Sequence, residues 1–174
     1  DILRERKKYK ESIFFYNSAI NKERNYSSAY FCRGLSKYYL EDFNGATSDW
    51  QKFIDTTDKK IDTYLQIGEF LFKNLDYSKA IEYYSYGIKI HKYSKLLYSQ
   101  RGYVYQIIRN YKSSLSDFEK VIRLNPKFFE QNINKKFKDS FEIVKSKIAK
   151  EKPLNLQQEQ EKKADEIKKV KEAM

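Results

Sequence analysis

Rings and small residues recur along this chain in fixed columns 34 residues apart. Tyr30, Tyr64 and Tyr98 form one column, and Gly34, Gly68 and Gly102 stand four residues further on. Ala46, Ala80 and Ser114 make a second small column, followed after four residues by Trp50, Tyr84 and Phe118. Between them a polar residue precedes a ring: Asp42-Phe43, Asp76-Tyr77 and Asn110-Tyr111. Small and aromatic residues held in separate columns at this period predict a helix–turn–helix repeat array. The period divides the chain into full units at 27–60, 61–94 and 95–128. Beyond Pro126 the columns fail, and Phe129, Ile133, Phe137, Phe141, Val144 and Ile148 recur every three to four residues instead. That spacing predicts one amphipathic helix over 128–150.

The columns resemble the tetratricopeptide repeat, which has an aromatic residue at position 4 of the unit, Gly at 8, Ala at 20, an aromatic at 24 and Pro at 32. The resemblance covers the three units from end to end. It implies an all-α solenoid, a right-handed superhelix of antiparallel helix pairs, with 128–150 as a C-terminal capping helix. A glycine and a small residue facing one another let two helices approach closely, and each ring between them buries roughly 150–250 Å². One unit cannot bury its own apolar face, so the units must stack. Two columns depart from the pattern. Position 32 is Pro only at Pro126, with Asp58 and Lys92 elsewhere, and the usually small position 27 is Ala19, Phe53, Gly87 and Val121. The bulk of Phe53 predicts a wider spacing between the first two full units.

Run backwards, the period places Lys8-Tyr9 on the Asp42-Phe43 column, Ser12 on Ala46, Tyr16 on Trp50 and Ala19 on Phe53. Residues 1–26 therefore read as the second half of a truncated repeat. Residues 8–22 are its second helix and Asp1–Arg6 the end of its first, which implies sequence before residue 1. At the other end Lys152-Pro153 breaks the capping helix. The segment 151–174 is rich in Gln, Glu and Lys. Leu156, Ile167, Val170 and Met174 share a diluted heptad spacing there, which reads as a charged helical or flexible tail rather than a coiled coil.

Composition adds charge to this picture. The 174 residues carry a formal charge of +11. The first two full units balance their charges, whereas 95–128 sets Lys95, Arg101, Arg109, Lys112, Lys120, Arg123 and Lys127 against Asp117 and Glu119. A basic patch of Arg101, Arg109, Lys112, Lys120, Arg123 and Lys127 suits nucleic acid such as RNA, anionic lipid or an acidic protein, with an AT-rich coding bias as the plain alternative. Cys32 is the only cysteine, so no internal disulfide forms. It fits a reducing compartment, the cytoplasm before the cell envelope or periplasm. No run of apolar residues is long enough for a transmembrane helix.

Nothing in the sequence points to catalysis, a cofactor or a metal. The single histidine, His91, falls in a turn between units and offers no convergent partners. Asp62 and Glu69 share a helix face as solvated or ligand-facing carboxylates. Cys32 reads as a small helix-face residue rather than a nucleophile.

The resemblance implies a peptide or helix held on the concave face at positions 2, 5, 6, 9 and 13. In the first unit these are Ser28, Phe31, Cys32, Leu35 and Tyr39; in the second, Asp62, Leu65, Gln66, Glu69 and Lys73. The third supplies Leu96, Ser99, Gln100, Tyr103 and Ile107. Phe31, Leu35, Leu65 and Tyr103 are the expected apolar anchors, with Gln66 and Gln100 as hydrogen-bonding groups. Family members that clamp a chaperone's terminal carboxylate use cations and asparagines where this chain has Phe31, Leu35, Gln66, Leu96 and Gln100. Without those cations no charge-assisted bonds reach a carboxylate, so no such clamp is expected. The expected function is a non-catalytic protein-interaction scaffold or adaptor. RNA binding through the third unit and a purely structural segment of a larger repeat protein are the alternatives.

Overall fold

Turns with a repeated chemistry divide the chain into helices. The computed structural model describes residues 2–126 and 135–150, which contain only helices and short connections. The order is α1 (Ile2–Lys22), α2 (Ser27–Tyr39), α3 (Phe43–Thr56), α4 (Ile61–Lys73), α5 (Tyr77–Ile90), α6 (Lys95–Ile107) and α7 (Tyr111–Leu124). A further helix, α8, spans residues 135–150. Two compact units divide the chain, Asp1–Lys92 and Tyr93–Met174.

Each full repeat turns from its first helix to its second in the same way. Glu41, Leu75 and Arg109 adopt positive φ, at 67°, 63° and 61°, which reverses the chain after the first helix. The next residue caps the second helix. Asp42, Asp76 and Asn110 each accept a bond from the backbone N–H three residues on, at Gly45, Lys79 and Ser113. This is why a polar residue precedes the ring in that column.

In the first unit α1 packs on α2, α2 on α3, α3 on α4 and α4 on α5. Trp50 and Tyr84 are fully buried, and so are the small residues Ala46 and Ala80. Phe53, large where the column expects a small side chain, is buried with its ring tilted on Phe31 at 5.0 Å.

α1 corrects one expectation. It is a single helix from Ile2 to Lys22, so residues 2–6 run on into 8–22 with no turn between them. Lys7 occupies the column where Glu41, Leu75 and Arg109 reverse the chain, yet it stays helical. The residue after it is Lys8, whose ammonium cannot accept a backbone N–H as the caps Asp42, Asp76 and Asn110 do. Exposed pairs at helical spacing, Lys8–Glu5 at 2.7 Å and Lys7–Glu11 at 3.8 Å, lie along this stretch and are weak because water screens them.

In the second unit α6 packs on α7. Phe137, Phe141 and Val144 of α8 are buried in one cluster with Phe118 and Val121 of α7. Ile148 packs at its edge. Phe129, Ile133, Lys127 and the segment 151–174 lie outside the described residues.

Candidate functional site

Two contacts, both between residues sixteen apart, fix each first helix against its second. The first is steric. A Cβ on Gly34 would lie 2.5 Å from Trp50 Nε1, and on Gly102 it would lie 2.6 Å from Phe118 Cε1. On Gly68 it would run into the edge of the Tyr84 ring in the same way. Ser114 Oγ adds a bond to the Gly102 carbonyl at 2.8 Å.

The second is ionic, and it is made in the first and last full repeats. Arg33 donates through Nε to Asp49 Oδ2 at 2.8 Å and through Nη2 to Oδ1. Lys37 reaches the same carboxylate at 2.9 Å. Arg101 repeats the fork on Asp117 at 2.8 and 2.7 Å. Ile67 and Tyr83, both buried, take these places in the middle repeat. Asp49 is 2% exposed and Asp117 4%. Burial pushes the Asp117 carboxyl above its ordinary range, with Arg101 pulling the other way. Its hydrogen bonds to Asp49 hold the Arg33 guanidinium more firmly protonated than usual. A spacing of sixteen between Arg and Asp, matching that of glycine and ring, was the signal in the sequence; unit-by-unit charge totals obscure it.

With the helices so placed, the first unit presents a cleft between α2 and α4. It has a volume of about 220 Å³ and is lined by Ser28, Phe31, Phe53, Thr57, Lys60, Asp62, Thr63 and Gln66. The Phe31 and Phe53 rings give it an apolar wall. Thr57 and Thr63 are joined hydroxyl to hydroxyl at 2.8 Å, and Thr57 Oγ1 also donates to the Phe53 carbonyl. Ser28, Asp62, Gln66 and Lys60 are exposed around it. The structure thus brings Phe31 and Gln66, both expected to hold a partner, to one cleft.

The other expected residues divide. Leu35 and Leu65 are half-buried on α2 and α4. Tyr39 stacks on Tyr9 of α1 at 4.7 Å. Glu69 and Lys73 pair with each other at 2.7 Å on an exposed stretch of α4. Cys32 is half-buried, close to the Tyr16 hydroxyl. Gln100 and Tyr103 belong to the second unit, where Gln100 is exposed. Tyr103 lies on Phe118 at 5.3 Å, beneath the Lys136 ammonium of α8 at 4.9 Å. Its side chain therefore packs with the terminal helix.

The basic patch expected on the third repeat is smaller than its sequence. Arg101 is 18% exposed, forked on Asp117 and flanked by the Tyr98 and Tyr105 rings. Arg123 lies 3.8 Å from Glu119. Arg109 and Lys112 are exposed and Lys120 half-buried.

His91 has a structural partner. Its Nε2 lies 2.6 Å from the Lys59 carbonyl, in a loop where Asp58 and Lys59 both have positive φ. Among the described residues no three His, Cys, Asp or Glu side chains gather to hold a metal ion. None of the described helices is long and apolar enough to cross a membrane.

Residues 97–128 match the model of the tetratricopeptide repeat. Among solved structures, the MamA protein superposes with a TM-score of 0.53, covering 81% of this chain and 74% of its own, at 18% identity. The first tetratricopeptide domain of Spaghetti (RPAP3), bound to the HSP90 peptide SRMEEVD, gives 0.52 over 71% of this chain and 93% of its own, at 15% identity. The Arabidopsis OM64 tetratricopeptide domain gives 0.50 over 69% and 94%, at 18% identity. The likeness is one of fold: an all-α solenoid of paired helices.

Proposed function

The chain carries tetratricopeptide repeats, and we propose that it is a non-catalytic protein-interaction scaffold holding a peptide or short helix along the first helices of its repeats. The observation that carries this reading is the α2–α4 cleft. Phe31 and Phe53 offer an apolar wall there, with Gln66, Asp62 and Lys60 at the rim. An apolar seat edged by a few polar groups suits one buried side chain and the backbone on either side of it. Half-buried Leu35 and Leu65 extend the apolar surface along the same two helices.

Selection of a random linear peptide library on the full chain supplies the ligand for a test. Calorimetry on the selected peptide should then show affinity falling about tenfold on Leu65→Ala or Gln66→Glu, a loss of about 1.4 kcal/mol. Unchanged affinity in both variants would remove the cleft from the site.

The partner is not a terminal carboxylate. The Spaghetti (RPAP3) domain is bound to the HSP90 peptide SRMEEVD; the positions at which the resemblance would place a carboxylate clamp are here Phe31, Leu35, Gln66, Leu96 and Gln100. Any affinity for that peptide should survive amidation of its C-terminus and the change Gln100→Ala. Loss of binding on either change would establish a clamp.

A further inference from the structure

We propose that the cleft between the second helices α3 and α5 is a separate docking site, for an acidic peptide segment. It is lined by Thr47, Gln51 and Ile54 of α3, Lys79, Glu82, Tyr83, Tyr86, Lys89 and Ile90 of α5, and by Lys59 and Tyr64. It shares no residue with the α2–α4 cleft and, at about 460 Å³ against 220 Å³, is twice as large.

The lining is cationic over an apolar floor. Three lysines face one carboxylate, Glu82, whose Oε1 already accepts the Tyr86 hydroxyl at 2.7 Å. Asp55, nearby on α3, is held by Gln51 Nε2 at 2.9 Å. Lys79 is shared with Asp76 at 3.3 Å and lies over the Phe43 ring at 4.2 Å. Among the described residues no carboxylate pairs with Lys59 or Lys89, and the Lys89 ammonium lies over the Tyr86 ring at 5.3 Å. Ile54, Tyr64 and Tyr83 are buried beneath, while Tyr86 and Ile90 remain 44% and 50% exposed.

Lys59 is presented by a fixed loop. The His91 contact to its carbonyl and the left-handed backbone at Asp58 and Lys59 set where its side chain leaves the chain. Two unpaired ammonium groups beside exposed apolar surface complement carboxylates interleaved with apolar side chains. A nucleic acid fits less well. Its phosphates need a continuous basic track, whereas this is one compact cleft with Glu82 on its wall.

The test uses the full chain and a fluorescein-labelled, C-terminally amidated hexapeptide, Glu-Leu-Asp-Glu-Phe-Asp. Its counterpart with lysine at every acidic position is the charge control. Fluorescence anisotropy should show saturable binding of the acidic peptide alone. The double change Lys59→Glu with Lys89→Glu should weaken it about tenfold or more. The matched reversal Lys147→Glu with Lys150→Glu, on exposed positions of α8, should leave it within about twofold. Carbodiimide coupling on the unaltered chain tests the site without any substitution, and should join the peptide's carboxylates to Lys59 and Lys89. Equal losses in the two double variants, coupling only to other lysines, or displacement of the peptide by single-stranded RNA would each overturn the proposal.

Discussion

Gly68 lies against the edge of the Tyr84 ring, so closely that the ring fills the space a Cβ would need. The same relation joins Gly34 to Trp50 and Gly102 to Phe118. It is the sequence period expressed as a contact. In an open helix, Gly→Ala stabilises by about 1 kcal/mol. Here Gly68→Ala and Gly102→Ala should instead destabilise by about 1–3 kcal/mol through overpacking. Urea unfolding measures the sign. Phe118→Leu should recover part of the loss in Gly102→Ala, because the smaller side chain yields. A gain from Gly102→Ala alone would mean that ring and glycine do not constrain each other.

The buried ion pairs should be replaceable only as pairs. Arg101→Ile leaves Asp117 buried without its fork, a loss of about 3–5 kcal/mol. Installing the middle repeat's own solution, Arg101→Ile with Asp117→Tyr, should return the chain to within about 1 kcal/mol of its starting stability. A double-mutant cycle by chemical unfolding reads this coupling. Additive losses would show that the ionic and apolar versions are not interchangeable.

Leu75, 71% exposed, holds a left-handed turn with φ of 63°. A leucine there loses about 1 kcal/mol that glycine does not, partly offset by glycine's freer unfolded chain. Leu75→Gly should raise stability by about 0.5 kcal/mol, and Leu75→Val, branched at Cβ, should lower it by about 1 kcal/mol. Thermal unfolding midpoints moving in opposite directions would confirm that the backbone, rather than the side chain, sets the outcome.

Alkali should unfold the first unit through its tyrosines. Burial pushes the Tyr83 hydroxyl from 10.0 up to about 12 and raises Tyr84 as well. A group whose pKa is higher folded than unfolded contributes stability that is complete below pH 10 and is lost as pH rises to about 12. For Tyr83 that loss is about 2–3 kcal/mol. Tyrosinate absorbance and helical circular dichroism should change together, and Tyr83→Phe should move the transition to higher pH. An unmoved transition would place the alkaline weakness elsewhere.

How far the fold was legible in the sequence follows from where its contacts lie. The contact of each glycine with its ring recurs unchanged in every repeat, so the period exposed those columns, together with the capping residues Asp42, Asp76 and Asn110. Contacts that differ between repeats form no such column, and only their common spacing of sixteen marks them. Arg33–Asp49 and Arg101–Asp117 are interrupted by Ile67–Tyr83, and a column of unlike residues reads as noise. Lys7 sits in the turn column yet remains helical, because Lys8 follows it where Asp42, Asp76 and Asn110 supply a capping acceptor in the other units. Tyr103 occupies a groove column, but α8 follows it instead of another repeat, and its ring packs with that helix. The α3–α5 cleft gathers Lys59, Lys79 and Lys89 from two different repeats. Counts within single units, which balance to neutrality, hide it.

The most direct test of the partner-binding reading is a map of amide chemical shifts on isotopically labelled full chain, titrated with a library-selected peptide. Shifts concentrated at Ser28, Phe31, Leu65 and Gln66 are the predicted result. Shifts confined to α7 and α8, with α2 and α4 unmoved, would contradict it.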